Sequence, residues 1–249
     1  MSGMRNTGLA LCLSCCSLTG LAENIKLVVH EFPPFSYTDL KSGEIQGMLV
    51  EKVQEILKRA GDSYSIGIVP NISSTSLARA LQAAALNENT CSFGVHRTPE
   101  RENLYRWIGP LATDAWVLYG RKNTPRTLKS LEDAKPYVIG SFKSAASGIK
   151  LAELGYKLEF ANNDEDNLRL LVNGRIDYWN SSELHGLAVA QQQGHANDIS
   201  RALRYKDIEL YMICNLNMDK QKIIVFNKFN KEIDSDGSME KLFNKYGVR

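Results

Sequence analysis

Several things are missing from this sequence. It has no GxSxG, no GxGxxG and no GxxxxGK[ST], so the nucleophile elbow, the dinucleotide fingerprint and the P-loop are excluded as motif-based readings. No apolar run approaches the ~20 residues needed to cross a bilayer. No 20–50-residue repeat marks a solenoid. Charge of neither sign is in excess, with 30 Lys+Arg against 28 Asp+Glu and a formal net charge of +2. No basic run interleaves with the aromatics, so nucleic acid is not an expected partner. The histidines, His30, His96, His185 and His195, lack the close spacing of metal ligands, and no metal or cofactor is expected. What remains is ordinary: 249 residues, 43% hydrophobic and 23% charged. That is enough to bury a sizeable core in one large domain or two small ones.

Cysteine is concentrated where it is soon lost. Of five, Cys12, Cys15 and Cys16 fall in the first 22 residues. That segment has Arg5 as its one charged side chain, a run of apolar and small residues from Gly8 to Gly20, and the ending Gly20-Leu21-Ala22. This is the form of a secretory signal cleaved after Ala22. The mature chain keeps Cys91 and Cys214, with no CxxC or CxxH spacing for structural zinc. Each lies in an apolar strand pattern, where a free buried thiol is common. This reading is favoured over a disulfide, although an exported chain could form one.

The hydrophobic pattern reads as two β/α units of about 100 residues each. In the first, Ile25 to Val29 predicts a strand. Val50, Val53, Leu57 and Ala60 predict a helix that Gly61 stops. Tyr64 to Val69 predicts a strand. Ser76 predicts the cap of a helix whose apolar face is Leu77, Leu81, Ala84 and Ala85. Cys91 to Val95 predicts a third strand. The pattern breaks near Pro110, and Trp116 to Tyr119 reads as extended. The second unit has strands at Tyr137–Gly140, Leu158–Phe160 and Ile176–Trp179, with helices from about Ser144 and up to Gly174. Glu209–Cys214 is extended, and the tail is helical, with Ser238 and Gly247 bounding the last helix. Alternating β and α elements imply parallel sheets that bind ligands outside the carboxyl ends of their strands. Those ends carry His30, Glu31 and Phe32, then Pro70–Thr75, then His96–Arg101, and in the second unit Ser141–Ser147 and Asn180–Glu183.

Gly94-Val95-His96-Arg97-Thr98-Pro99-Glu100-Arg101 followed by Trp107-Ile108-Gly109-Pro110 resembles the signature of the family 3 extracellular solute-binding proteins, the periplasmic receptors of polar amino-acid ABC transporters. Phe32-Pro33-Pro34-Phe35-Ser36-Tyr37, Gly43-Glu44-Ile45-Gln46-Gly47, Ser130-Leu131-Glu132-Asp133, Gly174-Arg175-Ile176-Asp177 and Asp236-Gly237-Ser238 agree in order and spacing. The resemblance spans about Asn24 to Arg249. It implies an α/β, two-lobed periplasmic-binding-protein fold of type II with two hinge crossings. Residues 23–111 and 212–249 would form lobe 1 and residues 112–211 lobe 2. It also implies a periplasmic monomer that closes on a small polar or carboxylate-bearing ligand and delivers it to an inner-membrane ABC permease.

By the same resemblance, Arg101 clamps a ligand carboxylate with its rigid donor fork, Thr98 assists it and Phe32 covers the ligand. Ser144, Ala145 and Ala146 match a helix-start loop whose amides attract an anion. His96 replaces a small hydroxyl residue. Ser182 stands where the family's amino-acid receptors carry an aspartate for the ligand ammonium, so the ligand is either a carboxylate without an amine or has its amine read by Glu183 beside Ser182 or by Glu31. Two other readings stay open. One is a secreted enzyme on the same scaffold, of the cyclohexadienyl-dehydratase kind, with Glu183 and His96 as an acid–base pair. The other is a receptor that binds a protein partner and no small ligand.

Overall fold

The computed structural model describes residues 24–69, 76–124, 128–143 and 145–247. The segment read as a signal, the loop at 70–75 and Ser144 lie outside the described residues.

The first half alternates as predicted. Strand β1 (Asn24–His30) leads through a turn and a small two-stranded sheet, β2 (Tyr37–Thr38) and β3 (Ile45–Gln46), to helix α1 (Met48–Ala60). Then come β4 (Ser63–Val69), α2 (Ser76–Leu86) and β5 (Thr90–His96). Helix α1 stops where Gly61 adopts φ 76°, a left-handed conformation that glycine takes without a Cβ penalty. Ser76 is the buried first residue of α2, and the buried face of that helix is Ser76, Ala80 and Ala84, with Ala85 exposed. That face is rotated from the predicted one because Leu77 turns toward a cleft.

A long strand β6 (Arg106–Arg121) enters the second half. There follow a 3-10 turn (Leu131–Ala134), β7 (Val138–Phe142), α3 (Ala146–Glu153), β8 (Lys157–Ala161), α4 (Asp164–Val172), β9 (Tyr178–Ser182) and α5 (Glu183–Gln192). A second long strand, β10 (Ile199–Cys214), returns to the first half, where α6 (Lys220–Ser235) and α7 (Ser238–Tyr246) close the chain.

All the long strands join in one curled sheet of order β4-β1-β5-β10-β6-β9-β7-β8. At its centre β6 and β10 run antiparallel along each other from Ile199↔Arg121 to Cys214↔Arg106. They are the two crossings. Each is much longer than the sequence pattern suggested: the pattern breaks at Gly109-Pro110 inside β6, and the outer stretch of β10 loses the apolar signal. β10 begins Ile-Ser-Arg-Ala-Leu-Arg-Tyr-Lys-Asp with mostly exposed or half-buried residues. Helix α5 has no counterpart in the predicted pattern. Its Gly186 weakens helix propensity, yet the position demands it, since a Cβ there would lie 2.4 Å from the Tyr119 ring.

Two main cores lie on either side of the crossings. Ile25, Leu27 and Val29 of β1 pack with Val53 and Leu57 of α1 and Phe226 of α6. Val117, Leu168, Leu171, Trp179 and Val189 pack in the other half. Along β6, Leu111 and Ala112 belong to the first core and Ala115 to the second.

Cys91 and Cys214 form a disulfide, which corrects the free-thiol reading. The two apolar strand patterns are neighbours, and the antiparallel β5–β10 register sets the residues directly opposite each other. Buried position, taken by itself as a sign of an inert thiol, said nothing about this pairing.

Candidate functional site

The strand ends from both halves converge. His30 ends β1, His96 ends β5, Phe142 ends β7 and Ser182 ends β9. Helices α2, α3 and α4 begin beside them at Ser76, Ala146 and Asp164. All of these residues line one cleft that encloses about 760 Å3 of space, part of it open to solvent. Arg101, Phe32, Glu31, Trp116, Asn180, Ser181 and His185 complete its wall. A ligand crevice at the carboxyl ends of the strands is where this architecture binds small molecules.

Arg101 is half-buried in this wall. Its backbone amide donates to the Thr98 carbonyl (3.0 Å), and its guanidinium donates to the His96 carbonyl (3.3 Å). Among the described residues it makes no ion pair. Burial pulls its pKa below the ordinary guanidinium value, and the group stays charged. It is therefore a desolvated cation with most of its donor fork unspent. Arg97, four residues earlier, is fully engaged with Glu102 at the surface.

The imidazoles divide into two kinds. Burial, then neighbouring positive groups including Arg101, hold His30 at about 3. Burial also dominates at His96, which titrates at about 4 against the edge of Trp116 (5.6 Å between centroids). Both rings are neutral at physiological pH. His185 differs. Burial pulls its pKa down, but hydrogen bonds to Asp164 and to the Pro33 carbonyl outweigh it, and the net shift is upward. Nδ1 lies 2.8 Å from the Pro33 oxygen and Nε2 lies 3.1 Å from Asp164 Oδ2. Both partners are acceptors, so an imidazolium donating twice satisfies the geometry. The same ring sits 4.6 Å from Phe32. His185 thus ties α5 in one half to the turn after β1 in the other.

The floor is held by uncharged groups. Asn180 Nδ2 donates to the Ser141 hydroxyl (3.0 Å) and the Ser147 hydroxyl (2.8 Å), and Tyr205 donates to Asn180 Oδ1 (2.5 Å). Helix α3 approaches β7 so closely that a Cβ on Gly148 would lie 2.3 Å from Ser141 Oγ.

The structure thus brings Arg101, Phe32, His96, Ala145 and Ser182 into one cleft. Thr98 and Glu183 are not in its wall. Thr98 lines an outer groove with Pro99 and Glu100 and reaches the site through its backbone bond to Arg101. Glu183 corrects the prediction: its carboxylate is held by Arg201 and Arg204 on β10. A one-residue step past Ser182 enters α5 and turns the side chain away. Ser144 lies outside the described residues. Sequence reasoning missed Trp116, Asp164 and His185. Asp164 could have been found, because Asn163 caps α4 by accepting from the Asp166 amide (2.7 Å) and so marks a helix start at a strand end. His185 had no signal while α5 went unrecognised.

Among the described residues no group of three or more His, Cys, Asp or Glu could hold a metal, and no helix is long and apolar enough to cross a membrane.

Comparison with known proteins agrees with this geometry. Arginine-binding extracellular protein ArtP of Bacillus subtilis (strain 168) is 27% identical over 233 residues, covering 87% of this chain and 82% of that protein. The crystal structure of the arginine-, lysine-, histidine-binding protein ArtJ from Geobacillus stearothermophilus superposes with a TM-score of 0.72 at 20% identity, over 91% of this chain and 96% of that one. A mutant of ArgBP from T. maritima gives 0.74 at 19% identity, again over 91% and 96%. The model of bacterial extracellular solute-binding proteins, family 3, matches residues 25–249, and with nearly the whole described chain inside that match, the protein belongs to this family.

Proposed function

We propose that the protein is a periplasmic receptor that closes two lobes around a small carboxylate-bearing ligand, an amino acid or a relative of one, and delivers it to an inner-membrane ABC permease. The observation that carries this reading is Arg101, a half-buried guanidinium in the cleft without an ion-pair partner among the described residues. A carboxylate is the group that best uses a planar donor fork. The starts of α2 and α3 add backbone amides to the same cleft. Phe32 and Trp116 supply apolar cover. The names of the relatives, which bind arginine or other basic amino acids, support the ligand class.

The lobes are residues 23–111 with 212–249, and 112–211, and the protein works as a monomer. The change of core between Ala112 and Ala115 supports the first crossing. Paired β6 and β10 form a two-stranded hinge about which closure can turn. Binding here needs no chemistry. An acid–base pair of Glu183 with His96 is not assembled, since Glu183 belongs to two arginines.

Native mass spectrometry of freshly purified protein should reveal a co-purifying small carboxylate. Arg101→Ala should weaken its binding by roughly 2–5 kcal/mol, or roughly 30- to 4,000-fold. Arg101→Lys should also bind poorly, because the fork is lost. Calorimetry showing unchanged affinity in both variants would rule the clamp out.

A further inference from the structure

The two acids in the cleft wall already accept hydrogen bonds. Asp164 accepts from the Trp179 indole (2.8 Å) through one oxygen and faces His185 with the other. Both oxygens of Glu31 turn to Thr38, accepting from its hydroxyl (2.7 Å) and its amide (3.2 Å). Glu183 is outside, bound by arginines. Asp114 lines the outer groove and not the wall of this cleft; its Oδ1 accepts from the Ala115 and Leu184 amides (2.7 and 3.3 Å), its Oδ2 is buried without a partner, and burial raises its pKa above the ordinary carboxylate value. The two carboxylates in the cleft wall, Glu31 and Asp164, already accept hydrogen bonds, and Asp164 also faces the His185 imidazolium, so an ammonium would have to share them.

The free polar groups are of another kind. His30 Nδ1 and Ser181 Oγ are buried atoms with no hydrogen-bond partner in the structure. Both residues are more than nine-tenths buried, at 6% exposure each. Both line the same cleft as Arg101, on opposite halves of the molecule. Buried polar atoms without partners are rare, and together with Ser182 Oγ, unpartnered in the same wall, these two mark where a bound group can supply the missing hydrogen bonds. A neutral imidazole nitrogen and a serine hydroxyl can each suit a hydroxyl, which donates and accepts. An ammonium only donates, and it brings a charge that must be paired when it leaves water.

We propose that the ligand is a carboxylate that carries an uncharged polar group beside it, a hydroxy acid rather than a zwitterionic α-amino acid, with His30 and Ser181 reading that group. This rests on the carboxylate reading of Arg101 and narrows it. It also separates this chain from the amino-acid binders named among its relatives.

The test is calorimetry of the unmodified mature protein with matched triplets: amino, hydroxy and unsubstituted acids sharing one side chain. The probes are L-phenylalanine with 3-phenyllactate and 3-phenylpropanoate, L-leucine with its hydroxy and deamino counterparts, L-glutamate with 2-hydroxyglutarate and glutarate, and L-arginine with its hydroxy and deamino counterparts. In every triplet that binds, the hydroxy acid should bind about tenfold or more tighter than both the amino acid and the unsubstituted acid. Ser182→Asp, which adds a carboxylate to the wall, should shift the preference toward the amino acid. An amino acid or an unsubstituted acid binding tighter to the unmodified protein than its hydroxy counterpart would overturn the proposal while leaving the Arg101 clamp standing. Silence across every triplet would instead sink the carboxylate reading and this inference with it.

Discussion

His185 offers a perturbation whose sign and size both follow from geometry. Its ring spans the two halves, with Nδ1 on the Pro33 carbonyl and Nε2 on Asp164. Charge-assisted hydrogen bonds of this kind contribute roughly 1.5–3 kcal/mol each way they are counted. His185→Gln can keep at most part of one of them. For a chain of this size, about 1 kcal/mol moves the melting temperature by roughly 2–4 °C, so the variant should melt roughly 3–12 °C lower under acidic conditions. The raised folded pKa fixes the direction with pH. The stabilisation is fully present below the unfolded value of about 6.5, and it is lost as pH rises through the folded value. The groups that face this ring are Asp164, Glu165 and, across the cleft, His30. His30 and His96, with depressed pKa values, act with the opposite sign at acid pH in both proteins. The difference between wild type and variant cancels the His96 contribution, and most of that of His30, whose pKa His185 helps to depress but burial depresses more. Thermal melts from pH 5 to 9 should therefore show that difference shrinking as pH rises. A difference that stays constant or grows would refute the doubly donating imidazolium.

Other outcomes follow from the same structure. Reducing the Cys91–Cys214 disulfide, or replacing both residues with alanine, should cost roughly 2–5 kcal/mol, and coincident urea curves with and without reductant would contradict this. Lys52 is fully buried and donates to Asp234 (2.6 Å) and to the Leu111 carbonyl (2.6 Å), which pins α1 to α6 and β6. Removing one partner strands the buried charge, whereas an apolar replacement removes it. Asp234→Ala should thus cost more than Lys52→Met, discounted to roughly 1–3 kcal/mol because Asp234 is partly exposed, and denaturant titration showing the reverse order would count against the pin. Glu183→Gln should leave ligand affinity nearly unchanged, since Arg201 and Arg204 hold that carboxylate outside the cleft. A large loss in calorimetry would return Glu183 to the site.

The fold was legible where burial is one-sided. Helix α1 and strand β1 match the predicted pattern to within a residue or two because their apolar spacing reports a single buried face, and β5 matches as a short continuous buried run; β4 also matches, with no residue fully buried. It was illegible in β10, whose polar beginning is a crossing strand with an exposed side, and in α5, where Gly186 answers to a neighbour's ring and not to helix propensity. The site followed the same rule. Arg101, Phe32, His96 and Ser182 could be placed because each sits at or just beyond a strand end that sequence could locate. Glu183 went to the wrong face because the strand-to-helix boundary was set too loosely, and one residue decides which way a side chain points. The paired state of Asp164 and His185 is a tertiary fact, made between α4 and α5.

The central claim is that Arg101 holds the carboxylate of a small ligand between the lobes. A crystal structure of the protein with its co-purified ligand tests this directly. The ligand carboxylate should accept two hydrogen bonds from the Arg101 guanidinium at about 2.7–2.9 Å, with Phe32 and Trp116 against its body. A ligand seated in the cleft with its anionic group elsewhere and Arg101 turned to solvent would contradict the account.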